Sequence, residues 1–193
     1  MRYAWTCTCC DKQYDTLPMR YDAAAPAYWD NLPEAERSAR AKLHTDFCTI
    51  DDQHYFVRGC LEIPVLGQKK PFVWGVWTSL SRDNFRRALE LFNQEPLERE
   101  PARFGWLATI VPIYQPSTLN LRTYVRFRGG GQRPSVETEL TEHPLAIEQH
   151  HGITLKRVQE IAAALDHRPS DDPADQAMSE DASPSAAPEQ GAA

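Results

Sequence analysis

The 193-residue sequence predicts an α+β fold: a mostly antiparallel sheet, flanking helices and a disordered acidic C-terminal tail. Three observations predict it. Segments in which polar and apolar residues alternate are joined by short turns, which is typical of hairpin-connected strands. Segments with helical periodicity stand apart from these strands instead of alternating with them. The last stretch of the chain has no aromatic residue and too little apolar surface to fold.

The first predicted element is a helix over residues 32–43. Its small and apolar residues recur at helical spacing, Pro33 suits the first helical position, and acidic residues precede basic ones. Residues 55–65 then alternate strictly, which predicts a half-buried strand. One face of this strand carries Tyr55, Val57, Leu61, Ile63 and Val65. The opposite face carries Phe56, Arg58, Cys60 and Glu62.

A turn over residues 67–70 leads to residues 72–77, which are apolar on both faces and predict a covered central strand. Ser81 is placed to cap the following helix, because its hydroxyl can accept a free backbone N–H. The buried stripe of that helix is predicted from apolar residues at helical spacing: Phe85, Ala88, Leu89 and Phe92. Residues 104–111 are apolar and compatible with either a strand or a helix.

Residues 119–128 alternate again and predict a half-exposed strand. The glycine-rich residues 129–134 allow the chain to turn back into a strand over residues 136–140. Two helices close the domain. The first runs from Pro144 to about His151 and ends at Gly152, and the second follows a Thr154 cap.

The net charge of −6 is concentrated at the C-terminus. Residues 168–193 contain six acids and one base, whereas residues 1–167 contain 21 acids and 20 bases. We therefore predict one globular domain over residues 1–167 and a disordered, solubilising tail rich in Ala, Pro and Ser over residues 168–193. The nearly neutral domain gives no argument for binding nucleic acid or an anionic membrane.

We expect neither a membrane span nor a secretion signal. The apolar runs of the sequence are far shorter than the roughly 20 residues that cross a bilayer, and its first residues lack a signal-peptide hydrophobic stretch. We therefore expect a cytoplasmic protein. In that compartment cysteines serve as thiols or metal ligands more often than as disulfides.

Five cysteines provide the most specific candidate site. Cys7 and Cys10 have the CxxC spacing of half a tetrahedral zinc site, because a tight turn can direct both thiolates at one ion. Cys48 and Cys60 complete the predicted zinc ligands, with His44 as an alternative to Cys60. Buried or partly exposed free thiols remain open as an alternative. Thiol redox chemistry remains open too, although a redox CxxC usually opens a helix and this one precedes a loop.

A basic stripe runs along the strand over residues 119–128 and into the glycine-rich loop: Arg122, Arg126, Arg128 and Arg133. Such a stripe could hold a phosphate or a carboxylate. Cross-strand pairing with Glu137 and Glu139 on the returning strand explains the stripe better, and we favour that structural explanation. The three glycines of the loop lack the Gly-Lys-Ser/Thr ending of a phosphate-binding loop.

Histidines and the two last helices give weaker candidates. His143, His150 and His151 lie near one short helix, but they do not form an HExxH-type ligand pair. The positions of the last two are explained by the dipole at the helix C-terminus. The two helices resemble a helix-turn-helix only superficially, since the domain is not basic.

Seven segments carry a resemblance to a known family: CTCC at 7–10, DFCTID at 46–51, YFVRG at 55–59, FVWGVWTSLS at 72–81, FGWL at 104–107, RP at 133–134 and HPLAIEQ at 143–149. Together they resemble a bacterial family of uncharacterised proteins, domain of unknown function 2199. The resemblance implies no activity. Members of the family tend to have a Gly directly after the CxxC and a His shortly after, where this chain has Asp11 and Tyr14.

The leading hypothesis is a binding or interaction module without chemistry of its own, to which the predicted zinc site would add stability. Its partner would be a protein or a small molecule. The alternative is a small enzyme of unknown reaction that uses the strand face with Arg58, Cys60 and Glu62. A pocket that gathers these side chains with His54 or His143 would favour the enzyme, and a sealed face would favour the binding module.

Overall fold

Ten strands and five helices follow one another in the computed structural model, which describes residues 4–7, 12–95 and 100–166. The strands are β1 (Trp5–Thr6), β2 (Gln13–Tyr14), β3 (Arg20–Asp22), β4 (Ala41–Leu43), β5 (Phe47–Ile50), β6 (His54–Ile63), β7 (Phe72–Leu80), β8 (Arg103–Leu107), β9 (Arg122–Arg126) and β10 (Ser135–Thr138). The helices are α1 (Ala27–Asp30), α2 (Glu34–Arg40), α3 (Arg82–Phe92), α4 (Pro144–His151) and α5 (Leu155–Asp166). The predicted tail lies outside the described residues.

Strands β6 to β10 close into a five-stranded mixed barrel. Strands β6 and β7 pair antiparallel along their whole length, and β8, β9 and β10 follow in antiparallel order. The barrel closes where β10 lies parallel to β6, with Ser135 opposite Cys60. The predicted α+β class is confirmed, and most strand pairs are antiparallel as predicted. The sequence did not predict that the sheet closes.

Gly59 permits this closure. A Cβ at position 59 would lie 2.5 Å from Cγ2 of Val136 and 3.0 Å from the carbonyl oxygen of Pro134. The backbone of the segment that leads into β10 can therefore approach β6 only because residue 59 has no side chain.

Three further strands extend the barrel wall. Strand β3 lies parallel to β7 and places Asp22 opposite Gly75, while β5 and β4 continue antiparallel from the other edge of β6. Strand β7 therefore has β6 on one side and β3 and β8 on the other, as expected for the predicted central strand. Strands β1 and β2 form a separate hairpin.

Two hydrophobic clusters lie on opposite faces of β6 and β7. The barrel interior contains Val57, Leu61 and Trp74 and is covered by α3, α4 and α5. The outer cluster packs Phe56 of β6 and Trp77 of β7 against residues of β4 and β5. The two faces of β6 are therefore those that the alternating sequence predicted.

Several predicted boundaries need correction. The predicted helix over residues 32–43 ends at Arg40, because Ala41 is already extended and pairs with Ile50 at the start of β4. In α3 the third buried position is Leu91, and Leu89 is 48% exposed. The ambiguous residues 104–111 begin with strand β8.

The predicted helix caps are confirmed. The hydroxyl of Ser81 accepts the backbone N–H of Asn84, and that of Thr154 accepts the N–H of Arg157. Gly152 ends α4 with a positive φ of 81°. Within the described part of the chain, no helix combines the length and the apolar character that a bilayer span requires.

Candidate functional site

The outer face of β6 holds Arg58, Cys60 and Glu62, as the alternation predicted. Opposite them on β7 stand Trp77, Gly75 and Val73. This face is not sealed, because a cleft begins at Cys60 and continues past Glu62.

The cleft has a volume of about 440 Å³. Four separate segments form its walls: β6, the β6–β7 connection, β10 and α4. Its polar lining includes Cys60, Glu62, Lys69, Ser135, Gln149 and His150. Neither His54 nor His143 lines it, so the histidine in this cleft is not one of the two that the enzyme hypothesis named.

Side chains of α4 fix the helix against β10. The Oε1 atom of Gln149 accepts from the backbone N–H and the hydroxyl of Thr138, each at 2.8 Å, and its Nε2 donates to the carbonyl of Val136 at 2.8 Å. The ring Nε2 of His150 lies 2.8 Å from the carbonyl oxygen of Thr138 and therefore donates to it. In the neutral ring Nδ1 is then the unprotonated acceptor. The helical wall of the cleft is thus held in a fixed position.

A cluster of charges adjoins the cleft beyond Cys60, and its centre is Asp22 at the end of β3. Arg20 donates to both carboxylate oxygens of Asp22, with Nε 2.5 Å from Oδ2 and Nη2 2.7 Å from Oδ1. Two more guanidinium groups approach Oδ1: Nη1 of Arg133 at 3.2 Å and Nη2 of Arg58 at 3.4 Å. The remaining Nη1 of Arg20 contacts Sγ of Cys60 at 3.6 Å.

Asp46 is the second carboxylate of the cluster. Its Oδ1 accepts from Nε of Arg133 at 2.6 Å, and its backbone carbonyl accepts the N–H of Arg58. Three guanidinium groups therefore face two carboxylates, which leaves one excess positive charge. The guanidinium hydrogen bonds of Arg20, together with the charges around it, hold the pKa of Asp22 below its usual range.

Arg58 is the least satisfied member of this cluster. Its side chain is only 14% exposed and lies over the ring of Trp77 at 5.9 Å. Its Nε is buried and has no hydrogen-bond partner among the described residues. Burial and the neighbouring Arg133 lower the pKa of Arg58. A guanidinium has five N–H donors, so this arrangement leaves a buried cation with little compensation.

The described cysteines lie in different surroundings. Cys7 is buried in the barrel cluster, Cys48 in the outer cluster, and Cys60 beside Arg20 at the end of the cleft. Burial raises the pKa of the Cys48 thiol to about 12. The described residues contain no group of three or more side chains placed to hold a metal ion. Cys10 lies outside the described residues, so the four-ligand zinc site stays a prediction.

His143 has a structural role. It caps α4, with Nδ1 accepting the backbone N–H of Leu145 at 3.1 Å and Nε2 lying 2.9 Å from the carbonyl oxygen of Pro116. Both ring nitrogens are therefore used in fixing the start of the helix.

The basic stripe divides among different partners. Arg122 pairs with Glu139 at 3.3 Å, as the cross-strand explanation predicted. Arg128 instead pairs with Glu62 at 2.7 Å, and Arg133 belongs to the charge cluster. The stripe is therefore not one continuous binding surface.

An exposed aromatic group covers the outer face of β8 and β9. Phe104, Trp106 and Tyr124 are each partly exposed, and their rings meet edge to face. Arg122 lies over the ring of Phe104 at 5.4 Å. Because the rings pack on one another and one is already covered by a cation, they do not form the open, parallel faces on which bases stack.

Sequence reasoning named Arg58, Cys60 and Glu62 but missed the partners that give the face its chemistry. Arg20 and Asp22 lie in a segment without clear periodicity, and no local pattern connects Asp46 with β6. The available signal was the pair of charged residues two positions apart, Arg20 and Asp22, which can share one face of an extended segment.

The cleft and the charge cluster both lie inside a region that matches a protein-family model. The model, described as uncharacterized protein conserved in bacteria (DUF2199), matches residues 6–153. No curated protein and no solved structure matches the chain.

Proposed function

This chain belongs to the uncharacterised bacterial family DUF2199, and we propose that it functions by binding a small polar molecule in the cleft between β6, β10 and α4. The observation that carries the proposal is the cleft itself. Its volume of about 440 Å³ falls within the range of about 300–1,000 Å³ that small-molecule sites occupy. Its walls come from segments far apart in sequence and present several hydrogen-bonding side chains.

The groups at the cleft favour binding over catalysis. Glu62 is paired with Arg128 at 2.7 Å, and His150 is tied to the carbonyl of Thr138. Both side chains are therefore engaged in holding the walls. Lys69, on the exposed β6–β7 connection, and the hydroxyl of Ser135 provide donors for a polar ligand.

A ligand panel tests this proposal. Purified protein is screened by thermal denaturation against amino acids, hydroxy acids, sugar phosphates and nucleotides. Ser135→Tyr places a large side chain in the cleft, and Ser38→Tyr makes the same change on the exposed surface of α2. A compound that binds the cleft should raise the melting temperature of the wild type and of Ser38→Tyr but not of Ser135→Tyr. If the compound stabilises all three equally, it does not bind in the cleft.

A second candidate function is a small enzyme that uses the same face. The observation in its favour is that Cys60 and His150 line one cleft, so a thiol and an imidazole acceptor are available together. The panel compounds incubated with protein would then be converted, which proton NMR detects. Conversion by the wild type but not by Cys60→Ser would favour the enzyme, and no conversion would leave the binding role.

A further inference from the structure

The charge cluster contains more positive charge than its own carboxylates neutralise. Arg20, Arg58 and Arg133 face Asp22 and Asp46, so the group carries an excess of +1. Arg20 and Arg133 each make a hydrogen bond at 2.7 Å or less to a carboxylate. Arg58 makes no side-chain hydrogen bond to the described residues and approaches Asp22 only to 3.4 Å. The excess charge is therefore concentrated on the most buried of the three.

A buried polar group without a partner requires an explanation, and a bound anion is one that suits a guanidinium. For a guanidinium the matching partner is a carboxylate or a phosphate, which accepts its paired N–H donors. The cluster already demonstrates carboxylate recognition, because Arg20 holds Asp22 through two parallel hydrogen bonds. A single carboxylate would bring the cluster to neutrality, whereas a phosphate dianion would leave it with an excess negative charge.

The cluster and the cleft meet at Cys60. Arg58 is two residues before Cys60 on the same face of β6, and Nη1 of Arg20 contacts the Cys60 sulfur that lines the cleft. Arg20 and Arg133 are 38% and 25% exposed, so a ligand can reach them from solvent. The three arginines do not line the cleft itself, so a ligand would place one end against them only by extending out of the cleft past Cys60.

We infer that the ligand of the cleft carries a carboxylate group, which binds to Arg58 together with Arg20 and Arg133. This inference rests on the proposed function for the part of the ligand that occupies the cleft. Asp46 is a positioning residue in this arrangement, because it orients the guanidinium of Arg133 beside Arg58. Asp22 competes with the ligand for the same cations.

Acetate is the probe that tests the carboxylate site without knowledge of the whole ligand. Melting temperatures of the full chain are measured in 100 mM sodium acetate and in sodium chloride at the same ionic strength. If acetate is present at about ten times its Kd, the wild type should melt about 3–6 °C higher in acetate. Arg58→Met, which keeps the length and removes the charge, should lose this difference. Arg86→Met, a matched change on exposed α3, should keep it.

Asp22→Asn is a second variant for the acetate experiment, and it keeps the inference testable if Arg58→Met does not fold. It removes the competing carboxylate and raises the excess charge of the cluster from +1 to +2, so the acetate effect should be larger than in the wild type. An equal or smaller effect in Asp22→Asn overturns the inference, as does an Arg58→Met protein that responds to acetate like the wild type. A larger response to phosphate than to acetate would overturn the carboxylate assignment.

The two proposals fail in different ways. If a panel compound no longer binds Ser135→Tyr but still binds Arg58→Met, the result supports binding in the cleft and refutes the carboxylate site. If Arg58→Met abolishes the acetate effect but Ser135→Tyr responds to every panel compound like the wild type, the result supports the anion site and refutes binding in the cleft.

Discussion

Gly75 lies on β7 directly beneath the carboxylate of Asp22, and its replacement by alanine tests how the charge cluster is held. A Cβ at this position would lie 1.9 Å from Oδ1 and 2.5 Å from Cγ of Asp22. Real Cβ atoms do not approach other atoms so closely, so the Asp22 carboxylate has to move away in Gly75→Ala. This movement withdraws the counter-charge from Arg58 and Arg133.

Two effects with opposite signs determine the change in stability. Alanine in a strand is favoured over glycine by about 0.5–1 kcal/mol, because glycine loses more backbone entropy on folding. Inserting a methyl group into a filled space costs about 1–3 kcal/mol. Loss of the Asp22 contact adds to this cost, because Arg58 is largely buried and would lose its nearest carboxylate. We therefore expect Gly75→Ala to lower the free energy of unfolding by about 1–3 kcal/mol.

A double-mutant cycle with Asp22→Ala separates the clash from other effects of the substitution. Without the carboxylate, the nearest remaining atom of residue 22 is its Cβ, at 3.1 Å, and a small shift relieves that contact. Urea denaturation should then show that Gly75→Ala costs less than about 1 kcal/mol in the Asp22→Ala background. Equal costs in both backgrounds would show that Asp22 does not lie over Gly75 and would refute this explanation.

Four more predictions follow from particular residues. His143→Ala should lower the free energy of unfolding by about 1–2 kcal/mol in urea, because α4 loses its cap, and His143→Asn should restore part of it. Because the pKa of Asp22 lies below its ordinary value of 3.8, its stabilising effect is complete above that value and is lost as the pH falls through the lowered pKa. Thermal melts between pH 6 and 2 should therefore fall less steeply for Asp22→Asn than for the wild type. Trp74→Ala should cost about 3–5 kcal/mol in urea denaturation, since the side chain is 4% exposed in the barrel core. If Cys7, Cys10, Cys48 and Cys60 bind zinc, elemental analysis should find about one equivalent in the wild type and none in Cys10→Ser.

Local sequence patterns predicted much of the fold because they report on immediate surroundings. The alternation in residues 55–65 gave both faces of β6, and Pro144 with Gly152 gave the limits of α4. Local sequence patterns gave wrong predictions where contacts between distant segments determine the secondary structure. Ala41, Lys42 and Leu43 have high helix propensity, yet they form β4 because β5 provides a pairing partner.

Closure of the barrel could not be predicted for the same reason. It depends on Ser135 meeting Cys60 in a parallel pair, and no local feature of either segment specifies that contact. The charge cluster has the same origin, since it joins β3, the start of β5, β6 and the loop before β10. Sequence patterning could place Arg58 on a face, but only the fold brings Asp22, Asp46 and Arg133 to it.

Stability alone does not explain why three arginines meet at this place. A buried ion network can often be replaced by apolar residues of similar volume with no loss of stability, because the desolvation of the charges offsets their attraction. Two arginines would suffice to pair with Asp22 and Asp46. The third, Arg58, adds a largely buried cation whose Nε has no hydrogen-bond partner among the described residues. The unfavourable desolvation of Arg58 occurs next to a cleft of about 440 Å³, and a bound carboxylate would compensate for it.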